Sequence, residues 1–218
     1  ASQASCLACP AGKKQEEAGK DACVDCPAGY FCPERTVNPI ACGSVALFCE
    51  ANATIVTAAS SGHYTAPATA EAVTTRTSQT ICEPGFACIG GVKTSCNGPG
   101  QYSDETGLAA CKTAPAGNRP STDRTYVFLC PAGRFSVGGA TLCAECAEGK
   151  YSSSHGAVGC TTASTCGAGR YIKTPSTSNT DTICEDCTAG KYSIGGALQC
   201  TDCEVGKYST TTKSVGCT

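Results

Sequence analysis

Residues 130–160 read CPAGRFSVGGATLCAECAEGKYSSSHGAVGC, and the order of residue types inside that stretch decides the fold. Cys130 is followed by two residues, Gly133, one residue, the pair Phe135-Ser136, a second glycine-bearing segment and Cys143; two residues later Cys146 starts the same series again and Cys160 ends it. The register extends outward in both directions. CTAGKYSIGGALQC (187–200) and CEVGKYSTTTKSVGC (203–217) follow it, and CPAGKKQEEAGKDAC (9–23) is a copy near the start. Self-similarity at a short fixed period is the mark of a tandem array.

Twenty-one of the 218 residues are cysteines. That density belongs to oxidising compartments, so the chain is read as secreted or exposed at the cell surface. Aromatics make up 6% of the chain, and Trp and Met are absent, leaving little material for one large hydrophobic core. A repeat of roughly 15 to 20 residues is far too small to fold by burial alone. A disulfide closing a loop of about 15 residues removes roughly 3 kcal/mol from the unfolded side in the chain-entropy account, comparable with the whole stability of such a repeat. The glycine near each opening cysteine suits a turn, the aromatic with Ser or Thr suits a short extended segment, and a second turn returns the chain to the closing cysteine. The expected fold class is therefore small disulfide-rich repeats of short β-hairpins and irregular turns, with little or no helix, stacked as an elongated tandem rod.

In this register the first cysteine of each CxxC closes one repeat and the second opens the next. Pairing opener with closer gives Cys9/Cys23, Cys130/Cys143, Cys146/Cys160, Cys166/Cys184, Cys187/Cys200 and Cys203/Cys217. Two repeats carry an extra cysteine, CPAGYFCPERTVNPIAC (26–42) and CEPGFACIGGVKTSC (82–96), where Cys88 aligns with Ser136. The repeat after the second lacks an opener, so the expected pairs are Cys82/Cys96, Cys88/Cys111, Cys26/Cys42 and Cys32/Cys49. A nested scheme with Cys32/Cys42 and Cys88/Cys96 competes. Cys6 is left unpaired in this window, as the closer of a repeat whose opener lies upstream, and the array is expected to continue beyond both ends. The organisation expected is cysteine-rich repeats over 1–49, the first truncated; a Thr/Ala-rich, bridge-poor segment over 50–81; repeats over 82–111; a degenerate long repeat over 112–129, where Ala114 aligns with Cys166; and regular repeats over 130–218. The segment from Glu50 to Thr80, with Ala59 in an opener position, is expected to be the most mobile or most decorated part.

On these residues, CPAGRFSVGGATLCAECAEGKYSSSHGAVGC, CEDCTAGKYSIGGALQCTDCEVGKYSTTTKSVGC and the CPAGYFCP block at Cys26, the chain resembles the ephrin-receptor-like cysteine-rich repeats, relatives of the tumour-necrosis-factor-receptor and growth-factor-receptor cysteine-rich modules. The likeness covers about residues 6–49 and 82–217. It implies an extracellular, disulfide-bonded, non-catalytic array within a long surface protein, and it carries over no ligand-binding residue, because the recurring positions are structural.

Zinc is the main rival use of the cysteines. Cys6, Cys9, Cys23 and Cys26 have C-x2-C-x13-C-x2-C spacing, and Cys184, Cys187, Cys200 and Cys203 have C-x2-C-x12-C-x2-C. The period continues through repeats without paired CxxC motifs, which favours bridges, and no metal or other cofactor is expected. His63 and His155 have no acid or nucleophile at a telling spacing and read as surface residues. The adjacent carboxylates Glu16/Glu17 and Glu185/Asp186 lack the apolar setting that would split their proton affinities, so no enzyme activity is expected. Asn52-Ala53-Thr54 is an N-glycosylation sequon. A net charge of −2 with interspersed signs excludes steering toward nucleic acid, and no apolar run is long enough to span a membrane. The expected function is a structural segment of a long glycoprotein of the cell exterior, forming or coating a filament or appendage. It would meet copies of itself or other filament and surface glycoproteins. The competing expectation is the ectodomain of a receptor or adhesin that binds a protein ligand.

Overall fold

The computed structural model describes residues 6–218. Among them lie twenty-two strands of two to five residues and a single short 3-10 helix, Ala70–Ala72. The strands form eleven two-stranded sheets, and in each one a strand pairs with its successor in the chain. The quoted stretch shows the build. Arg134–Phe135 pairs antiparallel with Ala144–Glu145, and Lys150–Tyr151 with Thr161–Thr162. Each hairpin thus joins a Gly-aromatic segment to the two residues that follow the closing cysteine. The longest ladder, Arg170–Thr174 with Ile183–Asp186, slips register between Ile172 and Thr174, accommodating the longer repeat there.

The chain divides into two compact units, Ala1–Lys112 with Thr122–Tyr126, and Thr113–Ser121 with Val127–Thr218. Inside each, successive hairpins are joined by a recurring pair of backbone hydrogen bonds centred on the first glycine of the repeat. In the second unit the N–H of Gly133 donates to the carbonyl of Ser152 in the next hairpin (2.8 Å), and its carbonyl accepts from the N–H of Cys146 (2.9 Å). In the first unit Gly29 does the same with Cys49 and Cys42, and Gly85 with Ser103 and Cys96. These bonds give backbone groups that two-residue strands leave unpaired a partner in the neighbouring repeat.

Little else is buried. Of the sixteen buried apolar residues, thirteen are cysteines; the others are Phe48, Ala87 and Ala114. The interior is therefore sulfur with a few small side chains. Ten disulfides cross-link it, in agreement with a fold of small disulfide-rich repeats. Six of them are the opener-to-closer pairs expected from the sequence: Cys9–Cys23, Cys130–Cys143, Cys146–Cys160, Cys166–Cys184, Cys187–Cys200 and Cys203–Cys217.

The other four correct the sequence reading. The structure pairs Cys26 with Cys32, Cys42 with Cys49, Cys82 with Cys88 and Cys96 with Cys111, in place of Cys26/Cys42, Cys32/Cys49, Cys82/Cys96 and Cys88/Cys111. The nested alternative, Cys32/Cys42 with Cys88/Cys96, is not formed either. The hydrogen bonds explain why. The N–H of Cys42 donates to the carbonyl of Gly29 and that of Cys96 to Gly85, the bond that Cys146 makes to Gly133, so Cys42 and Cys96 open repeats and do not close them. The closing position lies three residues earlier, as Cys143 does before Cys146, and is held by Pro39 and Lys93. With no closing sulfur, Cys26, Cys42 and Cys82 bond across their own turns to the cysteine six or seven residues on, whereas Cys96 has a closer in Cys111, fifteen residues on.

Candidate functional site

That cysteine occupies a column that recurs in every repeat. Cys32, Cys49 and Cys88 share it with Thr65, Ser103, Ser136, Ser152 and Ser193, all of them buried. The hydroxyls there are satisfied within the fold. Ser136 Oγ donates to the carbonyl of Asn118 (2.8 Å), Thr65 Oγ1 to that of Val45 (2.6 Å) and Ser152 Oγ to that of Ser154 (3.2 Å). The backbone at the same positions links three repeats. The Ser152 carbonyl accepts from Gly133 of the previous hairpin, while its N–H donates to Ser178 of the following segment (2.9 Å). The alignment of Cys88 with Ser136 was the sequence signal for this column, although serine alone does not advertise burial.

The cysteine quartets with zinc spacing are taken up in bridges. Cys9, Cys23 and Cys26 are all disulfide-bonded, as are Cys184, Cys187, Cys200 and Cys203, so their sulfurs are not thiolates free to ligate. Cys6 is the free cysteine among the described residues, and it is exposed. His63 lies half-buried on the strand His63–Ala66, its Nδ1 3.1 Å from the Ser61 carbonyl, and His155 is exposed.

The paired carboxylates face cations. Glu16 is ion-paired with Lys14, and Glu17 lies 2.8 Å from Lys20. Antiparallel pairing sets Asp186 opposite Arg170 and Glu185 opposite Tyr171. The hydrogen bond from Lys173 Nζ, with a second from the Tyr171 hydroxyl, holds the Glu185 carboxyl below its ordinary range; Arg170 does the same to Asp186. Asp181 is lowered by the Ser164 N–H and hydroxyl, at 2.6 and 2.7 Å. All three carboxylates are thus held in the ionised form, a different arrangement from the split pair that general acid-base chemistry uses.

Asn52 is presented outward. It stands in a turn at φ 62°, a left-handed conformation that asparagine tolerates, and its N–H donates to the Cys26 carbonyl (2.9 Å). The backbone is thereby pinned while the residue itself, like Thr54 of the sequon, is exposed. In comparison with known proteins, no family model matches the chain and no curated protein matches it.

Proposed function

We propose that this chain is a non-catalytic structural segment of a long extracellular glycoprotein of the ephrin-receptor-like type, forming or coating a filament or surface appendage. The observation that carries the reading is recurrence: successive repeats make the same joint and present the same exposed positions. Val158, Leu198 and Val215 each stand two residues before a closing cysteine, and each is more than three-fifths exposed. An apolar side chain offered at one register position by three of the repeats between Cys146 and Cys217 suits lateral association with copies of the same chain. The many bridges fit an oxidising environment, and hence the cell exterior. Asn52 supplies a glycan acceptor on a fixed turn.

The test is secretion of the chain from a glycosylating eukaryotic host, with sedimentation and electron microscopy of the product. Assembly that a V158D/L198D/V215D variant abolishes, with the bridge map unchanged, is the expected result. A persistently monodisperse product at high concentration would favour the receptor or adhesin ectodomain. In the same material, loss of one glycan mass in an N52Q variant checks the assignment of Asn52.

A further inference from the structure

Arg76 is the one large charged side chain in the buried set, 6% exposed. Its Nε and Nη1 are buried and have no hydrogen-bond partner. A guanidinium keeps its charge at any physiological pH, and those two nitrogens carry three N–H donors. Interior charges are ordinarily paired, so such a group marks a place where an acceptor belongs.

The surroundings supply room for one. Arg76 lines a cavity of about 240 Å³ within the first compact unit, together with Val45, Tyr64, Val92 and Lys93. The carboxylate that contacts two of its lining residues is already engaged: Glu83 lies 2.7 Å from Lys93 Nζ and accepts from the Tyr64 hydroxyl at 3.4 Å. Lys93 is fixed further by the rings of Phe86 and Tyr64, whose centroids are 4.1 and 5.1 Å from Nζ. Thr65 also faces the cavity but gives its hydroxyl proton to Val45. Two cations and one anion leave the cluster one charge positive, and the unmatched charge is that of Arg76. Its backbone is held in place, because the Arg76 carbonyl accepts from the N–H of Cys49, itself bridged to Cys42.

We infer that this cavity is an anion-binding site centred on Arg76, and that it takes a carboxylate carried on a body no larger than one sugar ring. The carboxylate meets the free N–H groups of Arg76 in charge-assisted hydrogen bonds, Lys93 adds a second positive charge at its side, and Val45, Val92 and the Tyr64 ring cover the apolar face of the ligand. The site is independent of the structural role proposed above.

The oxidised 218-residue chain, with its bridges verified by mass, is titrated at matched ionic strength with sodium glucuronate, sodium acetate, sodium sulfate and neutral glucose. The readouts are the Arg76 Nε–H resonance and calorimetry. Glucuronate is expected to shift that resonance saturably while those of Arg134 and Arg170 stay in place, with acetate weaker and glucose silent. R76Q is expected to weaken glucuronate binding at least about tenfold. K93Q should weaken it several-fold. Sulfate binding in place of glucuronate, a response that R76Q leaves unchanged, or no saturable shift at all would each overturn the assignment. If R76Q fails to form its bridges, the resonance of the unaltered chain decides.

Discussion

At Gly62 the backbone sits at φ +77°, and a Cβ built there would lie 2.0 Å from the carbonyl oxygen of Gly107. Gly149 has a similar φ, +73°, with nothing within 4 Å of the same point. The two positions separate close approach from conformational preference. Gly149→Ala should cost about 1 kcal/mol, the ordinary penalty of a left-handed alanine. Gly62→Ala must also displace a neighbouring backbone and should cost at least about 3 kcal/mol. Denaturant unfolding of the two variants checks the difference, and equal losses would show that the repeats are not in contact there. The turn glycines were legible in the sequence because their spacing repeats. Arg76 was not, since no local pattern distinguishes a buried arginine from a solvated one, and its burial arises from residues 45, 64 and 92 meeting across several turns.

At the scale of the hairpin, two bridge types share one frame. Cys82 and Cys88 bond with a Cα–Cα distance of 5.8 Å; Cys130 and Cys143 bond at 5.7 Å, with Ser136 in the column position of Cys88. The frame should therefore accept an exchange. In a Ser136→Cys, Cys143→Ser double variant, peptide mapping is expected to find Cys130 joined to residue 136. Shortening the closed loop from 13 to 6 residues would forgo about 0.7 kcal/mol of unfolded-state entropy. Persistent free thiols at 130 and 136 would contradict the shared frame. Six opener-closer pairs could be read from spacing, because a CxxC marks at least one partner of each and the Gly-aromatic register supplies the other. The other four could not. Where Pro39 or Lys93 holds the closing position, only the hydrogen bond to Gly29 or Gly85 tells an opener from a closer, and that bond is a tertiary fact.

The molecule as a whole exposes 12799 Å². A globular protein of this mass would expose about 9,300 Å², and two separate domains of half the mass about 11,200 Å² in total. The chain thus buries less than ordinary packing would, and its stability rests on sulfur and backbone joints. Reduction without any metal present is expected to abolish protease resistance and the β signal in circular dichroism. Retention of both would refute this account. Acid should have a smaller effect of defined sign. The carboxyls of Glu83, Asp104, Asp181, Glu185 and Asp186 lie below their ordinary values in the folded chain. Their contribution is complete above the unfolded carboxylate range near pH 4 and is lost as pH falls through the lowered folded values. Denaturation midpoints should therefore drop between about pH 5 and pH 2, and less so in high salt, because these groups are exposed or only half-buried.

The joints between hairpins also have a direction. Gly12, Gly29, Gly117, Gly133 and Gly190 each reach forward to the repeat that follows, never back. A repeat that makes this joint therefore ends in one kind of socket, and the repeat after it begins with the matching plug. Duplicating or excising a whole period between repeats that share this joint leaves the remaining couplings intact, whereas a cut at any other length strands a socket. Genes for such chains can grow or shrink by complete periods at little structural cost, and length itself becomes the easiest property to vary.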